Sequence, residues 1–397
     1  MQKTIFYADR FVRYSANIVN CLQQILSDNK DYVIAFLGPD DKNIHFLSNQ
    51  QISNARKVWT PGHYVRRIYK YIKNKKPDLI HFSFELRTFG TVKSAIRFPL
   101  LLFLISRTRT KIVVTLHNIL IFKKKSEWAI AEDLHFKIPK FLLINLVSLF
   151  IKTICKFSNE IVVTTHANKI GLAEFYGINI KKIKVIPEGF STEEKPINLK
   201  KKEKFLEQFN NKKIILAFGV ITPRKGLVNI IKAFRKINER LPNHILVIAG
   251  RTNPDFNFYE NMLHQLSKNL NLDKKIFFTG FVDNDEVEIL FDMAEIVLYL
   301  YHPSPAGTGA LSFAIQHGKA AIVSNTDTFK EVLGENEALF VEPNDEIHIA
   351  NTIFELATNE KLRNQLQQKI RAIVANRSWN QVAQEHFDLY KKILSKV

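Results

Sequence analysis

The chain has 397 residues, with 57 Lys+Arg against 38 Asp+Glu, a formal net charge of +19. Hydrophobic residues make up 46% and charged residues 24%, the proportions of a folded chain and not of a disordered one, and the length suffices for two domains with a core each. Two cysteines, Cys21 and Cys155, exclude a disulfide scaffold and an all-cysteine metal site.

In chain order, the opening MQKTIFYADR reads as a strand and lacks the apolar core of a signal peptide. Further short runs rich in β-branched and aromatic residues follow KTIFYAD (3–9). In the first half they are YVIAFLG (32–38), DLIHFSFE (78–85), KIVVTLHN (111–118), EIVVTTHA (160–167) and IKVIPEG (183–189). The second half has IILAFGVI (214–221), HILVIAGR (244–251), KIFFTGFV (275–282), EIVLYLY (295–301), AAIVSN (320–325) and ALFVEP (338–343). Most are continuously apolar, the pattern of parallel strands buried on both faces. Helical stretches such as NIVNCLQQIL and LVNIIKAFRKI fill the gaps, so the expected fold class is α/β, with two doubly wound, Rossmann-like domains. The polar stretch 191–213 reads as a linker between domains at 1–190 and 214–376, and helices are expected at roughly 346–374 and 379–396. No apolar run approaches the ~18 residues needed to span a bilayer. A cytoplasmic protein is expected, at most resting on the inner face of the cell membrane.

The charge is uneven: residues 1–190 hold 30 of the Lys+Arg and 13 of the Asp+Glu, a net of +17, whereas the rest is close to neutral. Such asymmetry points to an anionic partner for the first half, or else to a Lys-biased composition. Two stretches, 97–111 and 138–157, interleave apolar runs with Lys and Arg. They fit helices on an anionic membrane surface, or core helices flanking a sheet.

In open parallel sheets, ligands bind outside the carboxyl ends of the strands. That rule singles out Glu85, His117, His166 and Glu188 in the first half, and the loops after 221, 251, 282, 301 and 325 in the second. Two such edges facing each other would form a cleft. In HPSPAGTGALSFAIQHG, the small residues from Ala306 to Ala310 precede a helix and let backbone amides approach an anion; an ordinary tight turn has the same composition. TPRKG sets Arg224 and Lys225 at the start of the next helix, where cations oppose the helix dipole unless an anion sits there. Together these loops point to a diphosphate site. Neither GxGxxG nor GxxxxGK[ST] occurs, and the histidines lack zinc spacing. Asp283, in DND, reads as a helix cap completed by Glu286 and not as a metal ligand. Lys123, Lys124 and Lys125, just past a strand end, are placed to touch an anionic acceptor or headgroup.

The segments AFGVITPRKGLVNIIKAF, VIAGR, FFTGFVDNDEVEILFDMAEIVLYLY and GALSFAIQHGKAAIVSN resemble a GT-B glycosyltransferase of family 4. IHFSFELRTFG, VVTLHNIL, IVVTTHANKIGLAEFYGINIKKIKVIPEGF and SWNQVAQEHFDLYKKIL fit the same family, so the resemblance covers nearly the whole chain. It implies sugar transfer from a nucleotide-diphosphate donor, with retention and without bound metal or other cofactor, and a Trp-led helix at 377–397 that returns to the first domain. Lys225 matches the diphosphate-binding Lys, and Gly307, Thr308, Gly309 and Ala310 fall in the phosphate loop. Phe281 and Val282 match the segment beside the nucleobase, with Arg251 grouped there, and His117 matches the TxH histidine near the transferring sugar. Two glutamates usual in the family fall on Pro305 and Phe313, so Glu331 is the substitute ribose contact. Val220 stands where a basic residue is usual, and Arg224 restores that charge. The first loop reads RFVRYS, with Arg10 and Arg13 toward the acceptor.

The resulting expectation is a glycosyltransferase of surface-glycan synthesis, with Glu85 orienting the acceptor hydroxyl or moving its proton and His117 positioning the donor sugar. A charged strand-end residue paired with Arg87 or Arg10 is the alternative for Glu85. The expected acceptor is a glycan or lipid-linked glycan, with peripheral association to an anionic membrane. Competing readings are a nucleic-acid glycosyltransferase, a sugar-nucleotide epimerase and a non-catalytic sugar-nucleotide-binding relative.

Overall fold

The computed structural model describes residues 2–9, 12–27, 29, 31–39, 55–60, 62–86, 88–117, 119, 139–191, 196–252, 257–302 and 309–395. The chain divides into two compact units: Met1–Gly189 with Arg377–Val397, and Phe190–Asn376.

The first unit is built on a seven-stranded parallel sheet of β1 (Lys3–Ala8), β2 (Tyr32–Pro39), β3 (Ala55–Trp59), β4 (Leu79–Phe84), β5 (Lys111–Leu116), β6 (Glu160–Val163) and β7 (Ile183–Val185). The spatial order is β3-β2-β1-β4-β5-β6-β7. Successive side chains leave a strand on opposite faces, so one sheet feeds two cores. Phe6, Ile80, Phe82, Ile112 and Val114 pack under the helices Val65–Lys75, Phe98–Ser106, Lys140–Phe157 and His166–Tyr176. Ile5, Tyr7, Leu79 and Val113 pack on the other face, under Val12–Ser27 and Trp379–Leu394. The last helix therefore completes the first unit's core. Its start is fixed by a capping box of Ser378 and Gln381, and Trp379 packs so closely that a Cβ on Gly189 would meet its ring at 2.8 Å.

The second unit carries β8 (Lys213–Phe218), β9 (His244–Ala249), β10 (Ile276–Gly280), β11 (Ala294–Tyr299), β12 (Ala321–Ser324) and β13 (Leu339–Val341), parallel, in the order β10-β9-β8-β11-β12-β13. Its helices Leu227–Ile237 and Glu346–Thr358 cover one face.

Three expectations need correction. The linker expected at 191–213 contains the helix Leu199–Gln208, which belongs to the second unit. Its charged face hides an i, i+4 pair, Phe205 and Phe209, buried in that unit's core, while Lys201 bonds Asp283 and Asp285, and Lys202 bonds Asp292. The long helix expected over 346–374 breaks at Asn359 into Glu346–Thr358 and Glu360–Asn376. Strand β3 was not foreseen, because ARKVW reads as charged; it is an edge strand, and Trp59 anchors it in the core.

Candidate active site

In the second unit the loops at the carboxyl edge meet through glycines. A Cβ on Gly226 (φ 65°) would sit 2.1 Å from the Leu300 carbonyl, so only glycine lets the helix Leu227–Ile237 start against β11. This contact fixes the preceding turn, Pro223–Lys225. Gly219 (φ 125°) bonds through its N–H to the Ala249 carbonyl, and its Cβ position lies 3.3 Å from Lys225 Nζ and 3.5 Å from Ala310 Cβ. Lys225 and the GAL turn are therefore neighbours.

Lys225 Nζ donates to the Tyr301 hydroxyl and lies 3.7 Å from that ring's centroid; Arg224 stands 5.9 Å from the same ring. Among the described residues no acid contributes to the electrostatics of Lys225. Burial first, and then the Arg224 guanidinium, hold its ammonium well below the usual lysine range. A charge pressed this way is relieved by an anion. Tyr299 donates to the Ala310 carbonyl at 2.6 Å, tying the turn to β11. The helix after the turn is only Leu311–Gln316, so the positive potential rests on Lys225 and Arg224 more than on a helix dipole.

Arg251 and Phe281 meet on one flank, with the guanidinium 5.2 Å from the ring centroid and Phe281 exposed. Val282 turns into the core beside them. Glu331 follows a different strand. It lies on the helix Asp327–Val332 after β12, while Arg251 and Phe281 follow β9 and β10, with β8 and β11 in between. Phe313, at the position of a usual glutamate, packs on Phe218 and Phe291 with centroids 5.1 and 5.7 Å away. Val220 is half exposed. The Asp283 carboxylate caps the helix Asn284–Met293, with Glu286 completing the box.

In the first unit, strand ends gather two groups of titratable side chains. Glu85 follows β4. Burial, then Asp9 after β1 and Glu188 after β7, push its carboxyl up to about 7. His117, after β5, is bonded through Nε2 to Ser83 Oγ at 2.9 Å, and burial lowers its imidazole to about 4. Below it on the same face, His81 is bonded to Thr115 Oγ1 at 2.7 Å and to Tyr390 Oη at 2.5 Å. Tyr390 comes from the last helix, and His386 of that helix is fully buried beside His81. His166 opens a helix and is exposed.

Arg10, Arg87, Lys123, Lys124, Lys125, Gly307 and Thr308, and the side chain of Arg13, lie outside the described residues. Sequence reasoning missed Asp9, Tyr301 and Ser83. Asp9 closes the run KTIFYAD as Glu85 closes LIHFSFE, a parallel that was there to be read; the Tyr301 and Ser83 contacts arise only on folding. Among the described residues no group of three His, Cys, Asp or Glu could hold a metal ion, and no helix is long and apolar enough to cross a membrane.

Residues 31–194 match Glycosyltransferase Family 4, and residues 199–373 match Glycosyl transferases group 1. An uncharacterised glycosyltransferase of Methanocaldococcus jannaschii is 28% identical over 59% of this chain and 60% of its own length. The O-antigen chain mannosyltransferase RfbU of Salmonella typhimurium is 26% identical over 59% of this chain and 62% of its own. Both alignments span less than two thirds of the relative. The Anabaena protein Alr3699/HepE, solved with UDP and glucose, superposes over 98% of this chain and 100% of its own, with a TM-score of 0.73 at 17% identity, a likeness of fold. With both domains matched in order, the chain belongs to the family 4, group 1 glycosyltransferases of GT-B fold.

Proposed function

We propose that this protein transfers a hexosyl group from a nucleoside-diphosphate sugar to a glycan or lipid-linked glycan during surface-polysaccharide synthesis, with retention and without a metal ion. The observation that carries the reading is Lys225: a half-buried ammonium beside Arg224, with no acid near it among the described residues, set against Gly219, which in turn abuts Ala310. In the reaction the bond from the sugar's anomeric carbon to the diphosphate oxygen breaks and one to the acceptor oxygen forms. The acceptor proton leaves, and the nucleoside diphosphate departs with its charge. Lys225, Arg224 and the turn around Gly309 and Ala310 neutralise that charge, the electrostatic contribution that is usually largest in catalysis.

Arg251 and Phe281 offer a flat, exposed surface to a base. His117 is neutral at physiological pH, and Ser83 fixes its ring, so it hydrogen-bonds a sugar hydroxyl without adding charge. Glu85, titrating near 7, orients the acceptor hydroxyl and takes its proton. The Salmonella relative acts on an O-antigen chain and the Anabaena structure holds UDP and glucose, which support the acceptor class and the donor. A thermal-shift panel of UDP, GDP and ADP tests the reading, since a ligand bound only by the native form raises its melting point. One nucleotide is expected to stand out; stabilisation by none of them would remove the donor site.

A further inference from the structure

Strand β11 lies in the middle of the second unit's sheet, between β8 and β12, and a strand buried on both faces is expected to be apolar throughout. EIVLYLY (295–301) departs from this at its carboxyl end, where Tyr299 and Tyr301 bury two phenol hydroxyls, with 0% and 4% of the residues exposed. A buried hydroxyl is costly without a partner. Both find theirs in loops of the candidate donor site: Tyr299 donates to the Ala310 carbonyl, and Tyr301 accepts from Lys225 Nζ. The two rings meet edge-on, with centroids 5.9 Å apart.

Tyr301 is itself held in place. Its ring packs on Phe329 at 5.4 Å, and its carbonyl accepts from Ser324 Oγ at 2.6 Å. A lysine side chain is rich in rotamers and becomes ordered only when its end is anchored. Among the described residues Tyr301 is the hydrogen-bond partner of Lys225 Nζ, and the small cavity beside the pair is otherwise lined by Gly219 and apolar side chains such as Phe218 and Leu298. The chemistry of this anchor matters. A carboxylate there would cancel the ammonium's charge, whereas a phenol orients it, and the negative face of its ring attracts it without neutralising it. Burial pushes the Tyr301 hydroxyl above the ordinary tyrosine range, so it stays an uncharged phenol.

We infer that Tyr301 is a positioning residue, whose hydroxyl and ring hold the end of Lys225 beside Gly219 and Ala310, where the diphosphate of the donor is to be met. It acts through the lysine and not on the ligand. The inference rests on the donor-site reading given above and deepens it: the lysine is ordered before any ligand arrives, so less freedom remains to be lost on binding and in the transition state. Tyr299 does the same for the turn by fixing Ala310, so both sides of the diphosphate seat hang from one strand.

Nuclear magnetic resonance of the full chain, labelled with carbon-13 at the lysine ε-carbons, reads the position without any ligand. With its Nζ 3.7 Å from a ring centroid, Lys225 should give an ε-methylene signal displaced by the ring, and Lys225→Met should remove that signal. Tyr301→Phe keeps the ring but not the hydroxyl, and the signal should move to where the other lysines resonate. Tyr299→Phe deletes a hydroxyl two residues away and should leave it in place. In rate assays Tyr301→Phe should lower kcat about ten-fold or more, the loss of one hydrogen bond to a charged group. In the Lys225→Met background the same change should alter kcat by no more than about two-fold, because the two residues act as a unit. No ring-displaced signal in the wild type, a signal that persists in Tyr301→Phe, or equal rate losses in both backgrounds overturns the inference. A displaced signal that Tyr301→Phe abolishes, in a protein that responds to no nucleotide, upholds the anchor and strikes only the donor-site reading.

Discussion

Replacing Lys225 by methionine separates binding from stability. The ammonium is held below its ordinary range by burial and by Arg224, so folding works against its charge. Between the folded value and the usual 10.5 the unfolded chain binds the extra proton, and stability rises with pH through that window. Lys225→Met keeps most of the side-chain volume beside Tyr301 and Gly219 and removes the charge. The ligand-free variant should therefore melt no lower than the wild type, gaining about 2–4 °C for each kcal/mol of penalty relieved. Nucleotide binding should move the other way. At a hundred-fold excess over Kd a nucleoside diphosphate stabilises the native protein by about 2.7 kcal/mol, a rise of roughly 5–10 °C, and the variant should lose most of it. Loss of one preorganised charge contact to the leaving group costs about 10²–10³ in kcat. Differential scanning fluorimetry with and without UDP, beside initial rates, reads all three quantities. A variant that binds UDP and turns over like the wild type, or that melts several degrees lower without ligand, refutes the reasoning.

Glu85 gives a pH signature. With its carboxyl near 7, kcat/KM should rise with pH through about 7, and Asp9→Asn should move that limb to lower pH by removing a neighbouring charge. The folded form keeps this proton longer than the unfolded one, so stability falls as pH rises from 4.5 to about 7, and Glu85→Gln should flatten that part of the stability profile. A limb that Asp9→Asn leaves in place would dissociate Glu85 from the rate. Gly226→Ala should cost about 1–3 kcal/mol, seen as a lower urea midpoint. Gly177→Ala, with a similar φ of 66° and nothing within 4 Å of the added carbon, should lose less. Transfer rates should be the same with and without EDTA; a strict metal requirement would overturn the leaving-group role of Lys225 and Arg224.

How far the sequence speaks depends on whether a feature is local. All six strands foreseen in the second half form, because a parallel strand buried on both faces must be apolar throughout and the composition displays it. The capping box at Asp283 was legible for the same reason: both partners lie within four residues. The helix Leu199–Gln208 was taken for a linker because its two anchoring phenylalanines sit among lysines whose partners are some eighty to ninety residues away. The pairing of Arg224 and Lys225 with a later glycine turn was likewise inferred from loop chemistry, but Tyr301 as the lysine's partner was not.

The sequence by itself determined the two parallel α/β cores and the strand ends at which polar residues stand, since hydrophobic periodicity and chain order are enough for both. Only the tertiary structure decided which of those ends become neighbours. It brought Asp9 and Glu188 to bear on Glu85, put Ser83 on His117, and set β8 and β11 between the strand that precedes Glu331 and those that precede Arg251 and Phe281. Spatial strand order and side-chain exposure are long-range properties, fixed by how elements distant in sequence pack, and no local window of residues contains them.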